Sequence, residues 1–373
     1  MQLQYSSKKS ITEIFQSQGQ AELLSISGYN SVNKLIHGEN LAVLKTLLYT
    51  YNMQGKVDLV YIDPPFATNS HFKIGDERAN TVSKSNNGDI AYSDTLIGAG
   101  FLEFLRERLM LIRELMSENA SIYLHIDYKI GHYVKIIMDE VFGRNNFRND
   151  ITRVKCNPKN FYRKAYGNVK DMILFYSKSE KMTWNDPKIP FSEEDVIRLF
   201  KKTDTNGRKY TTIPLHAPGE TTNGKTGQEW RGMKPPKGRH WRSEAAVLER
   251  LEEQGLIEWS SNGVPRKKLF AEDMLGKKMQ DIWEFKDPQY PIYPTEKNYD
   301  LLRFIIRASS NECGTVLDCF CGSGTTLVAA HELNRTWIGI DASKHAIKAV
   351  QKRINELPVD LFSSVKYEML EQK

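Results

Sequence analysis

Six short apolar runs bounded by turn residues constrain this chain more than any other feature: KLIHGE (34–39), VDLVYI (57–62), SIYLHI (121–126), DMILFYS (171–177), TVLDCF (315–320) and TWIGID (336–341). Runs of this length, rich in β-branched and aromatic residues, read as strands buried on both faces. The stretches between them follow another period. FLEFLRERLMLIRELM (101–116) sets Phe101, Leu105, Leu109 and Ile112 at helical spacing, and TLVAAHELN after residue 325 does the same. Strand alternating with helix predicts an α/β protein built on a doubly wound, mostly parallel sheet.

The rhythm fails over 178–290, where Pro, Gly, Trp and charge take over. That segment is expected as an inserted region between an N-terminal part, 1–177, and a C-terminal part, 291–373. The formal charge of +6 is concentrated there: residues 151–290 carry 27 Lys and Arg against 19 Asp and Glu, while the remainder is slightly acidic. One stretch, KTGQEWRGMKPPKGRHWR, holds Lys225, Arg231, Lys234, Lys237, Arg239 and Arg242 against the single acid Glu229, with Trp230 and Trp241 interleaved. Cations interleaved with aromatic rings suit nucleic-acid phosphates and bases; a solvated basic loop is the bland alternative. Residues 67–98, rich in Ser, Asn, Asp and Gly, read as a long mobile loop, and such loops commonly act as lids.

Composition narrows the class further. A hydrophobic content of 40% and a charged content of 26% are those of a globular protein, and no apolar run approaches the ~18 residues needed to span a bilayer. The opening MQLQYSSKKS lacks a secretory apolar core, and Cys156, Cys313, Cys319 and Cys321 form no paired spacing. The expectation is a cytoplasmic protein with free thiols, no metal site and no membrane contact.

Two motifs carry the chemistry. In VLDCFCGSGTT (316–326) a strand ends at Asp318, a Gly-Ser-Gly turn lets backbone amides approach a ligand, and a helix follows whose N-terminus favours an anionic or nucleoside group. The next strand ends in Asp341, where a carboxylate can accept both hydroxyls of a ribose. The loop is not GxGxxG, since Leu327 occupies the third glycine position, which argues against a dinucleotide. The second motif is Asp63-Pro64-Pro65-Phe66, an acid, two prolines and an aromatic ring closing a buried strand. A nucleotide loop normally follows the first strand of a doubly wound sheet, yet here it lies near the C-terminus. Read as a circular permutation, 315–356 supplies the first two strands and 34–177 the later ones. That order sets Asp63 and Phe66 at the carboxyl edge of the sheet, beside the cofactor loop.

With both motifs in that order, the sequence resembles the permuted beta group of the S-adenosylmethionine-dependent amino methyltransferases of DNA. The match runs through YIDPPF, SIYLHID, HYVKIIMDEVFG, VKDMILFYSKS, YPTEK and VLDCFCGSGTT…WIGIDAS. The inserted EWRG, PPKGRHWR and GVPRKK are similar to the recognition region of site-specific members and of shortened type III modification subunits. The resemblance implies that Asp63 and the Pro64 carbonyl accept the two hydrogens of an exocyclic amino group, so that its lone pair faces the donor methyl. Pro65 completes a turn without competing N–H donors, and Phe66 stacks on a base flipped from the duplex. It places Asp318, Phe320, Gly322, Ser323, Gly324, Thr325 and Thr326 around the methionine part of S-adenosylmethionine and Asp341 on its ribose. Glu39 falls toward the adenine, and Thr295 and Lys297 near the methionine carboxylate.

In the family it resembles, Asp before the two prolines is typical of adenine N6 transfer, so the resemblance implies adenine, with cytosine N4 the alternative. The partners implied are double-stranded DNA, a restriction endonuclease and, as in many relatives, a second copy of the chain. The sequence departs from the family at Cys319 and Asn298, where Pro is usual, and at Glu39, where Asp is commoner. His125 and Asp127 pose a choice between a proton relay and a structural pair, the structural reading being preferred. Two other classes remain: an NAD-dependent oxidoreductase, disfavoured by the missing GxGxxG, and a DNA-binding module with an inactive core, which would fail to bind the cofactor.

Overall fold

The computed structural model describes residues 2–17, 19–28, 30–65, 98–158, 162, 164–221, 223–289, 296–357 and 365–373, and the backbone of short strands at 71–74, 79–80 and 89–93. The chain divides into two compact units, one of 1–187 with 280–373 and one of 188–279. The smaller unit therefore starts later and ends earlier than the 178–290 expected from composition.

The large unit holds a ten-stranded sheet. Its strands in chain order are β1 (Leu23–Ser27), β2 (Lys34–His37), β3 (Val57–Ile62), β4 (Met116–Ile126), β5 (Phe147–Val154), β6 (Lys170–Ser177), β7 (Ile282–Trp283), β8 (Thr315–Asp318), β9 (Thr336–Asp341) and β10 (Glu368–Gln372). In space they run β1-β10-β2-β9-β8-β3-β4-β6-β5-β7. From β10 to β4 every neighbour is parallel, whereas β1, β6 and the β6–β5 pairing are antiparallel. The six apolar runs all form strands of this sheet. The permuted order becomes a direct neighbour relation: Val316 and Leu317 of β8 lie in register with Leu59 and Val60 of β3.

Helical periodicity is expressed as expected. Phe101, Leu105, Leu109 and Ile112 lie on the helix Ala99–Leu115 and are fully buried against the sheet. Parallel pairing from β2 through β3 brings four strand ends to one edge: Glu39 just past β2, Asp341 at the end of β9, Asp318 at the end of β8 and Asp63 just past β3. The segment expected as a loop at 67–98 contains an antiparallel three-stranded sheet, with Lys73 opposite Asn80 and His71 opposite Ser93. Most of its residues, and its expected role as a lid, lie outside the described residues.

The smaller unit is mainly antiparallel. Its four-stranded sheet includes Lys209–Pro214, Pro265–Phe270 and Ile257–Trp259, and a separate hairpin pairs His216–Pro218 with Arg239–Trp241.

Candidate active site

β3 delivers Asp63 to the sheet edge because it is buried on both faces from Leu59 to Ile62 and then meets two prolines. Pro64 and Pro65 have no N–H to continue a ladder, so the strand stops there. The Asp63 carboxylate is split in role. Its Oδ2 accepts an ion pair from Lys297 Nζ at 2.7 Å, with both side chains largely buried, while Oδ1 is buried without a hydrogen-bond partner. A buried acceptor left unbonded costs about 1–3 kcal/mol and so marks a place where a donor is wanted. Phe66 and Thr295 lie outside the described residues.

Behind Asp63 sits a buried polar layer. His125, fully buried on β4, has Nδ1 3.0 Å from the Tyr61 hydroxyl and 3.9 Å from Asp63 Oδ1, and Nε2 3.3 Å from Asp171. Burial pushes the His125 pKa down in spite of Asp171. Burial works the other way on Asp171, but the hydrogen bond and charge of His125 and the Lys155 ammonium outweigh it and hold that carboxyl well below the usual range. Asp127 is separate from this layer and caps the helix Tyr128–Phe142, accepting from the Lys129 amide at 2.8 Å. The His-Asp pairing at the end of this strand is thus His125 with Asp171, which sequence spacing did not reveal.

The glycine turn is built as its motif suggests. Gly322 and Gly324 adopt left-handed φ of 49° and 78°. At Gly324 a Cβ would sit 2.8 Å from the Val350 side chain, so the position needs glycine for both reasons. Asp318 accepts from the Phe320 amide at 3.0 Å and the Thr326 hydroxyl at 2.6 Å. Burial, helped by the charges of Asp63 and Asp341, raises its pKa to about 7. Asp341 ties the turn to its own strand end, accepting from the Gly322 amide at 2.9 Å and the Ser343 amide at 2.8 Å, and burial raises its pKa too. Accepting one backbone donor per oxygen leaves lone pairs for further hydroxyls. Glu39 caps the helix Asn40–Tyr49 through the Ala42 amide and pairs with Arg108, which is buried over the Phe104 ring.

Two arginines were not legible as site residues. Arg353, in the last turn of the helix Lys344–Asn355, donates to Ser323 Oγ at 3.2 Å and Thr325 Oγ1 at 3.0 Å and pairs with Glu296 at 2.7 Å. It thereby fastens the chain beside Lys297 to the glycine turn. Arg108 is the second, fixing Glu39. Both sit on helices whose pattern reads only as amphipathic. Two departures from the family now have local causes. Asn298 caps the helix Tyr299–Ser309 by accepting from Leu301 at 3.1 Å, and Cys319 is fully buried, its carbonyl accepting from Asn40.

The basic stretch of the smaller unit is sorted differently from its sequence pattern. Trp230 and Trp241 are each only 3% exposed and meet edge to face at 6.1 Å in a core with Leu215, Leu248 and Ile257. They are structural rings, not free stacking platforms; aromatics between cations can face inward as well as outward. Arg231 is bound by Glu249 and Glu252, and Lys225 by Glu244. Lys234, Lys237, Arg239 and Arg242 are exposed. Among the described residues no helix is long and apolar enough to cross a membrane, and no cluster of His, Cys, Asp and Glu could hold a metal.

A parallel α/β sheet with a glycine turn and an Asp-Pro-Pro edge on adjacent strands defines a nucleoside-cofactor transferase. The family model described as DNA methylase, for N6 and N4 transfer, matches residues 57–352, and the chain belongs to that family. Type II methyltransferase M.EcaI of Enterobacter cloacae is 41% identical over 86% of this chain and 69% of its own length. The type III restriction-modification enzyme StyLTI Mod subunit of Salmonella typhimurium is 27% identical over 82% of this chain, which spans half of that protein. Among solved structures, the M1.HpyAVI–SAM complex is 19% identical with a TM-score of 0.45, covering 86% of this chain and 99% of that one.

Proposed function

We propose that the protein transfers a methyl group from S-adenosylmethionine to the N6 amino group of adenine in duplex DNA, the base being flipped out of the helix. The observation that carries the reading is the bare, buried Oδ1 of Asp63 next to a Pro-Pro turn that offers carbonyls and no N–H groups. An exocyclic amino group is a weak nucleophile because its lone pair is delocalised into the ring. Asp63 Oδ1 and the Pro64 carbonyl would each take one of its hydrogens and so turn the lone pair toward the donor. Lys297 holds the other carboxylate oxygen and fixes the direction in which Oδ1 points. Placement and electrostatics then supply the rate.

The residues at the glycine turn fit the cofactor. Asp318 is a buried carboxyl crowded by the charges of Asp63 and Asp341, so a cationic ligand is favoured there, and Asp341 retains acceptor capacity for ribose hydroxyls. When bound, S-adenosylmethionine supplies an electrophilic methyl on a sulfonium, ready for in-line displacement. Glu39, steadied by Arg108, is the candidate contact for the adenine, and Phe66 for stacking on the target base. The unit 188–279 is the candidate recognition region, and the restriction-modification setting named for the relatives, with a partner endonuclease, belongs to the same proposal.

The test combines mapping with one substitution. Incubating duplex DNA with the protein and S-adenosylmethionine and sequencing modified bases should give N6-methyladenine at a defined site; N4-methylcytosine would overturn the choice of base. Asp63→Ala should cut transfer by about 10²–10³-fold or more while cofactor and DNA binding persist. Equal loss of DNA binding would remove Asp63 from the catalytic role.

A further inference from the structure

Among the described residues of the smaller unit several cations form no ion pair, and three of these are arginines fixed in place by neutral acceptors. Several of its cations are matched: Arg231 by Glu249, Lys225 by Glu244, Lys202 by Glu258, Arg208 by Asp204, and Lys277 by Asp195. Arg239, Arg242 and Arg266 are different. Arg239 Nη1 donates to His216 Nδ1 at 3.1 Å, Arg242 Nε to the Pro214 carbonyl at 3.0 Å, and Arg266 Nε and Nη2 to Thr212 Oγ1 and its carbonyl, both at 2.9 Å. None of the three guanidiniums forms an ion pair among the described residues. Glu258 stands opposite Arg266 in the sheet register, but its two oxygens are engaged by Lys202 and Tyr210.

We propose that His216, Arg239, Arg242 and Arg266 form a seat for backbone phosphates of duplex DNA. The three guanidiniums are anchored through neutral acceptors, which spend part of their donors and none of their charge. Each keeps further N–H groups in the fork that matches a phosphate. Strands far apart in sequence supply them: the hairpin gives His216 and Arg239, and Pro265–Phe270 gives Arg266. Arg266 lies outside the basic stretch, in the GVPRKK segment, and Arg231, inside the stretch, is excluded by its carboxylates.

His216 makes the seat sensitive to pH. An arginine can only donate, so Nδ1 of His216 is an acceptor and the ring is neutral in this arrangement. Burial first, then the charges of Arg239, Arg242 and Arg266, push its pKa down. A seated phosphate adds negative charge that offsets those cations and favours the imidazolium. DNA should therefore bind more tightly as the pH falls, with proton uptake at His216.

This inference rests on the reading of the protein as a DNA methylase. The experiment is the affinity of the full chain for a duplex carrying its methylation site, over a range of salt and pH. Arg239→Gln, Arg242→Gln and Arg266→Gln should each weaken binding several-fold, lowering the slope of log K against log salt by about one per lost phosphate contact. Arg266→Lys should restore the slope, and His216→Asn should abolish the pH dependence. An unchanged slope in the triple Gln variant, with the melting curve of wild type, would overturn the seat. A wild type that neither binds nor methylates duplex DNA would instead overturn the functional reading beneath it.

Discussion

At the edge of the large sheet the described cations beside the site are paired: Lys297 on Asp63, Arg353 on Glu296, Lys155 on Asp171 and Arg108 on Glu39. In the smaller unit Arg239, Arg242 and Arg266 gather on neutral acceptors. The first arrangement suits chemistry, since charges fixed in place before the substrate arrives need no reorganisation. The second suits a polyanion, which must supply the missing charge itself. Matched charge marks a site that orients a small neutral group; unmatched charge marks one that holds a backbone. The contrast also decides which residues of the smaller unit carry its fold and which are free to meet a ligand.

The largest expected effect falls on the fold of the smaller unit. Trp230 stacks on Trp259 at 5.7 Å, meets Trp241 edge on, and donates from Nε1 to Glu249 at 2.9 Å. Trp230→Ala should destabilise that unit by about 3–5 kcal/mol, the usual cost of removing a buried aromatic. Limited proteolysis should then cut within 188–279 while cofactor affinity stays that of wild type. A fully folded variant that has merely lost DNA affinity would restore the stacking role the sequence suggested.

The two regions were not equally legible, and the reason is physical. Strands buried on both faces write themselves as apolar runs, so β2, β3, β4, β6, β8 and β9 could be read directly, and the Asp-Pro-Pro and Gly-Ser-Gly ends fixed the edge. β1 and β5 are half exposed, and β10, though mostly buried, is like them in mixing polar with apolar residues, so no run announced them. His125 with Asp171, and Arg353 with Ser323, are contacts between elements distant in sequence, and spacing does not encode such pairs. In the basic stretch composition alone could not tell a buried tryptophan from an exposed one, or a neutralised arginine from a free one, because both depend on what folds against them.

A pH dependence sharpens the catalytic side. The Asp318 pKa lies near 7, against an ordinary 3.8, mainly because the carboxyl is buried. The folded state thus favours the protonated acid; that contribution to stability is complete below about pH 4 and is lost as the pH rises through 7. A cationic ligand next to Asp318 favours the ionised form, so S-adenosylmethionine affinity should rise about tenfold from pH 6 to pH 8 and then level off. Asp318→Asn should flatten that profile while weakening binding at pH 8. Calorimetric titration reads both; a wild-type affinity flat across this range would remove Asp318 from the cofactor site.

The smallest effect is expected where composition promised one of the largest. Arg231 lies in the basic stretch, yet its guanidinium donates three hydrogen bonds to Glu249 and reaches Glu252 at 3.4 Å. The Glu249 hydrogen bonds also raise the Arg231 pKa. An exposed pair of this kind contributes about 0–1 kcal/mol to stability, and it presents no net charge to a phosphate. Arg231→Ala should therefore leave DNA affinity within about twofold and the salt slope unchanged, since no counterion is released at a cation that already has its anion. Glu249→Gln is the informative counterpart: freeing Arg231 should steepen the slope if the side chain lies near the duplex, and do nothing if it does not. A marked loss of slope in Arg231→Ala alone would mean that DNA displaces Glu249, and matched charge could then no longer be used to sort the cations of this unit.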